Sequence, residues 1–134
     1  MTAMAKILIV ENDDNQRLLY RENFEEEGYQ VLLAEDGEEA CHAVQDNAPD
    51  VVILDISMPR VGGLEALARI KEAYSDIPVI LFTGFDDDCV RDQRARLAIA
   101  CVEKSGDLAE LKRAIIRALA YDDLGDSIRL GLPD

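Results

Sequence analysis

Five short apolar runs recur at regular intervals along the chain: Ile7–Val10, Val31–Ala34, Val51–Leu54, Val79–Phe82 and Ile99–Val102. None alternates apolar with polar. Continuous runs of this length suit strands buried on both faces, as in a parallel sheet. The stretches between them carry helical periodicity. Leu19, Tyr20, Phe24 and Glu27 mark one face of the first. Leu64, Leu67, Ile70 and Tyr74 stripe the third, and Leu108, Leu111, Ile115 and Leu119 the fifth. The fourth, around Arg91 to Arg96, is polar on most faces and is the weakest helix in the pattern.

Punctuation agrees with this division. Gly28 follows the first helical pattern, Gly37 opens the second, and Gly62-Gly63 precede the third. Pro49 and Pro78 stand just before strands, where a helix has to stop. Asp86 to Asp88 place negative charge at the start of the fourth helix, where the helix dipole favours it. The pattern is a βα unit repeated five times, hence an α/β fold with helices on both faces of a parallel sheet. With right-handed crossovers, five strands lead to a doubly wound, flavodoxin-like sheet in the order 2-1-3-4-5. A chain of 134 residues fits one domain of this kind. The repeat fills residues 1–121 and leaves 122–134 as a short tail.

Charge narrows the function. Lys and Arg number 14 against 28 Asp and Glu, a formal net charge of −14. A field of that sign repels phosphate backbones and anionic lipid, which argues against nucleic acid and membrane as partners, and it draws cations into any carboxylate-lined cleft. No stretch has the length and apolarity of a membrane span, and no secretory h-region is present, so a cytoplasmic location is expected. Cys41, Cys89 and Cys101 are odd in number and lack C-x-x-C spacing, which predicts reduced thiols and neither a disulfide framework nor a zinc site. Cys101, inside an apolar run, is expected in the core.

In an open α/β sheet, ligands bind outside the carboxyl ends of the strands. Glu11 and Asn12 follow the first run, with Asp13 and Asp14 opening the helix after them. Asp55 follows the third run, Thr83 the fourth, and Lys104 lies near the end of the fifth. Two carboxylates, an amide, a hydroxyl and an ammonium thus converge from four strands on one edge. Any one of them reads as easily as a turn or cap residue, but the set has a chemical logic. Hard oxygen ligands suit Mg²⁺, and an Asp carboxylate can attack phosphorus. Cationic and hydroxyl groups then stabilise the phosphoryl oxygens. Unrelieved repulsion between Glu11 and Asp55 asks for a cation. His42, the single histidine, is expected on an exposed helix face, and Gly62-Gly63 is a loop feature because no Lys-Ser/Thr follows it.

At these residues the chain resembles the response-regulator receiver family. ILIVENDDNQR is similar to its first strand and acidic pair, and VVILDISMPRVGGLEAL to its phosphoacceptor segment. PVILFTG resembles the strand ending in the switch hydroxyl, and VEKSGDLAELKRAI the lysine and last helix. The likeness runs in order from Lys6 to Leu119. It implies phosphorylation of Asp55 by a histidine kinase, a phosphotransfer protein or a small acyl phosphate. It implies Mg²⁺ held by Glu11, Asn12, Asp55 and the Ser57 carbonyl, with Thr83 and Lys104 on the phosphoryl oxygens. A protein-interaction surface on the fourth helix, fifth strand and fifth helix would then switch toward an unidentified target. The chain would catalyse at most its own phosphoryl transfer and loss.

Three positions depart from the family pattern. Asn12 stands where a second acid is usual, Cys101 where an aromatic switch residue is common, and Ser105 where a proline often follows the lysine. Asn12 and Cys101 keep open a pseudo-receiver, a protein-binding module that is never phosphorylated. A hydrolase with an Asp nucleophile normally wants a second carboxylate two residues on, where this chain has Ser57.

Overall fold

The structure is a computed structural model that describes residues 4–56, 58, 61–84, 92–104 and 108–129, the last nine of these by backbone only. The strands are β1 (Lys6–Val10), β2 (Gln30–Ala34), β3 (Val51–Leu54), β4 (Val79–Thr83) and β5 (Ala100–Glu103). The helices are α1 (Asp14–Glu26), α2 (Gly37–Asn47), α3 (Gly63–Ala73) and α4 (Ala109–Arg129), the one expected as fifth. All strand pairings are parallel, and the sheet order is β2-β1-β3-β4-β5, as the repeat predicts.

Successive strand residues face opposite sides, so the sheet divides the interior into two cores. Leu8, Val10, Val52, Leu54 and Leu81 pack with α2 and α3 through Val44, Leu67 and Ile70. Ile7, Ile9, Ile53, Ile80, Phe82 and Val102 pack with α1 and α4 through Phe24, Leu111 and Ile115. The central strands are buried on both faces, which is why they read as unbroken apolar runs. Each such side chain contributes about 1.5–3 kcal/mol by leaving water.

The edges read differently. β2 is only half-buried along most of its length, and in β5 only Val102 is fully buried. Cys101 is exposed rather than in the core, because the alternating pleat of an edge strand turns it away from the α4 side, where Val102 lies. Cys101 is also disulfide-bonded, contrary to the expectation of reduced thiols, whereas Cys41 is free. Cys89 lies outside the described residues.

Helix ends follow local chemistry. Asp13 caps α1 by accepting from the Gln16 N–H at 2.9 Å, and Asp36 caps α2 by accepting from the Glu39 N–H at 2.9 Å. Gly28 takes a left-handed φ of 95° just past α1. The sheet-facing stripe of α1 is Tyr20 and Phe24, one turn apart. Leu19 is 52% exposed, because a neighbour in sequence lies about 100° around the helix. His42 is exposed on α2, 3.6 Å from Glu38. Of the expected fourth helix, the described part is a single 3-10 helix, Gln93–Leu97, capped by Asp92. The Asp86–Asp88 start lies outside the described residues. α4 continues through to Arg129.

Candidate functional site

The strand register sets the carboxyl edge. Val10 pairs with Leu54, and Leu54 with Leu81, so Glu11 and Asp55 leave adjacent strands at one level. Main-chain hydrogen bonds continue past the strand ends and pin each site residue to its neighbour. The Glu11 N–H donates to the Ala34 carbonyl at 3.1 Å and the Asp55 N–H to the Val10 carbonyl at 3.2 Å. The Lys104 N–H donates to the Thr83 carbonyl at 2.7 Å. The backbone under the site is therefore an extension of the sheet.

Behind Asp55, α3 approaches so closely that only glycine fits. The Gly63 N–H donates to the Ile56 carbonyl at 2.9 Å, and a Cβ at position 63 would lie 2.0 Å from the Asp55 carbonyl oxygen. The expected loop glycine is thus a packing requirement of the site itself.

Glu11, Asp55 and Thr83 are buried polar residues. The Lys104 ammonium joins the two acids, donating to Glu11 Oε1 at 2.5 Å and Asp55 Oδ2 at 2.9 Å. Side-chain exposure is 18% for Lys104, 5% for Glu11 and 10% for Asp55, so solvent screens these pairs only weakly. Burial by itself pushes the Lys104 pKa down. Hydrogen bonds to Glu11 and then Asp55 outweigh that and hold it above the ordinary lysine value. The repulsion expected between Glu11 and Asp55 is thus relieved in part by an internal cation.

Of the other residues proposed from sequence, Asn12 is exposed beside Glu11 and Thr83 ends β4. Ser57 and Ser105 lie outside the described residues. Asp13 serves α1 as its cap, and its own N–H donates to Glu11 Oε2 at 2.9 Å. Among the described residues, no group of three or more His, Cys, Asp or Glu side chains is assembled as a metal cage. The acids instead form a pair.

Sequence reading missed three residues. Arg17 donates to the Glu11 carbonyl at 2.7 Å and the Asn12 carbonyl at 3.3 Å, and pairs with Asp14, strapping the turn that carries the acids. Gln16 reaches Lys104 from the side, and Tyr20, one helical turn on along α1, donates its hydroxyl to the same Gln16 oxygen. Their i,i+4 spacing was visible, but its target lies 88 residues away from Gln16.

The family model for the response regulator receiver domain matches residues 7–116. The chain is 35% identical over 130 residues to the regulatory protein AtoC of Escherichia coli, covering 96% of this chain and 28% of AtoC. It is 34% identical over 115 residues to the sporulation initiation phosphotransferase F of Bacillus subtilis, covering 85% of this chain and 93% of that protein. A similar solved structure is the Thermotoga maritima response regulator TrrA in complex with Mg²⁺-BeF. It is 37% identical with a TM-score of 0.83, covering 87% of this chain and all of TrrA. TrrA is also known in complex with the histidine kinase ThkA, where the TM-score is 0.81.

Proposed function

The chain belongs to the response-regulator receiver family of two-component systems, and from that premise we propose that it is a Mg²⁺-dependent phosphorylation switch with Asp55 as phosphoacceptor. One observation carries the reading: Asp55 is a buried carboxylate at the end of a central strand, with Glu11 beside it and the Lys104 ammonium on its Oδ2.

The donor set fits a divalent cation. Two buried carboxylates share one ammonium, so the three groups together carry net negative charge. Carboxylate and amide oxygens are the hard ligands Mg²⁺ takes. Glu11, Asp55 and the Asn12 amide would hold it, with the Ser57 carbonyl. When bound it supplies charge neutralisation at the phosphoryl oxygens.

The chain's own residues do the rest. An Asp55 carboxylate oxygen attacks phosphorus, a P–O bond forms, and the bond to the donor breaks. The imidazole of a phosphohistidine, or the carboxylate of an acyl phosphate, leaves with the electron pair. Lys104 moves from the carboxylate to the new phosphoryl oxygens and stabilises their charge. Thr83, at the end of β4, is the hydroxyl that senses the group and couples it to the face of the 3-10 helix, β5 and α4, a population shift between two conformers. The charge of −14 favours a protein over nucleic acid as the surface's partner. The complex of TrrA with ThkA supports a histidine kinase as the phosphoryl source. Beyond this self-modification no catalytic turnover is assigned.

Borohydride reduction after acetyl phosphate treatment tests the acceptor. The acyl phosphate should be trapped as homoserine at position 55; homoserine at any other position refutes the assignment.

A further inference from the structure

Lys104 makes a third contact that neither acid explains. Its ammonium also lies 3.3 Å from Gln16 Oε1. That same oxygen accepts from the Tyr20 hydroxyl at 3.0 Å. A lysine ammonium has three N–H donors and no acceptor. Glu11, Asp55 and Gln16 supply one acceptor for each.

The geometry fixes which way the Gln16 amide points. Tyr20 alone could pair with either end of the amide, since a hydroxyl both donates and accepts. Lys104 can pair only with the oxygen. Both conditions are met with the oxygen inward, and two donors then occupy its two lone pairs. The aromatic rings set the donors' positions. Tyr20 is 7% exposed and packs edge-on against Phe82, ring centroids 5.5 Å apart at 67°. Lys104 Nζ stands 5.8 Å from the Phe82 ring centroid, within the range of a cation–π contact. α1, β4 and the end of β5 are thus tied together around one ammonium.

We infer that Gln16, its side-chain oxygen fixed by the Tyr20 hydroxyl, is a positioning residue that holds Lys104 over the Glu11–Asp55 pair. The inference deepens the proposed function and rests on it for its purpose. As Asp55 takes up a phosphoryl group, the ammonium has to leave the carboxylate for the phosphoryl oxygens. A neutral amide keeps it in reach throughout without competing for its charge, as a third carboxylate would.

Trace acylation with acetic anhydride, quantified lysine by lysine by mass spectrometry, tests this without metal or phosphoryl donor. Lys6 and Lys112 serve as internal references. Tyr20→Phe keeps the ring packing and removes only the hydroxyl; Gln16→Ala removes the acceptor. Each should raise Lys104 labelling by roughly 3- to 10-fold, the effect of losing one hydrogen bond of ordinary net strength. The double variant should label no faster than Gln16→Ala, because both changes act through one oxygen. Gln16→Glu, whose two oxygens need no orienting and whose charge holds the ammonium more tightly, should bring Tyr20→Phe down to wild-type labelling or below it. Unchanged labelling in Tyr20→Phe, additive effects in the double variant, or no rescue by Gln16→Glu each overturns the inference. Wild-type phosphorylation, measured in parallel, reports separately on the switch. A chain that takes no phosphoryl group but shows this labelling pattern keeps the positioning role and loses the switch.

Discussion

The Asp55 carbonyl oxygen lies 2.0 Å from where a Cβ on Gly63 would stand, so the helix following the Asp55 loop packs directly onto Asp55's own backbone. Relief by moving a flexible side chain is ruled out, since the obstructing atoms are backbone of Asp55 and Ile56. Gly63→Ala must displace α3 or the loop. We expect a loss of about 2–3 kcal/mol, the upper range for overpacking, read as a lower denaturation midpoint at unchanged m-value. Weaker Mg²⁺ binding should accompany it. A variant as stable as wild type would mean that α3 does not buttress Asp55.

Lys104 supplies the second expectation. Replacing it by Gln leaves Glu11 and Asp55 buried without their cation, a cost of about 2 kcal/mol at neutral pH. Its folded pKa is raised above the ordinary 10.5, the hydrogen bonds to the acids outweighing burial. The stabilisation is therefore fully present below 10.5 and lost as pH rises through the raised folded value. The melting-temperature gap between wild type and Lys104→Gln should hold constant across neutral pH and narrow in strong alkali. Narrowing on acidification alone, with none in alkali, would contradict the assigned role.

Much of this was legible in the sequence, and the exceptions share a cause. Val51–Leu54 announces a central strand because both its faces are buried, and Asp55 follows it as the polar residue at the edge. Ile99–Val102 misleads by one residue: Ile80 pairs with Ala100, and Ile99 is 40% exposed. An edge strand's limits are set by its single neighbour, which no local pattern encodes. Cys101 was misplaced for the same reason. The three-way coordination of Lys104 joins residues 49, 88 and 93 positions apart. Periodicity could nominate Glu11, Asp55 and Lys104 by their place at strand ends. Gln16 and Tyr20 lie within a helix, where polar residues are unremarkable.

Mg²⁺ gives the third expectation. At ten times Kd, binding to the folded state stabilises by roughly 1.4 kcal/mol, or about 3–5 °C in Tm for a domain of this size. Asn12 sits exposed beside Glu11 and adds no charge to the pair. Asn12→Asp should enlarge the shift at a fixed sub-saturating Mg²⁺ concentration. No shift in either protein at tens of millimolar Mg²⁺ would favour the pseudo-receiver.

The central claim is that Asp55 is the phosphoacceptor of a metal-dependent switch. Intact mass after treatment with acetyl phosphate measures it most directly, with Mg²⁺ and with excess chelator, on wild type and Asp55→Asn. The account predicts one added phosphoryl group on the wild type with Mg²⁺, none with chelator, none on Asp55→Asn, and loss of the group in mild alkali. Equal incorporation by Asp55→Asn, or a wild type that stays unmodified with Mg²⁺ present, would contradict it.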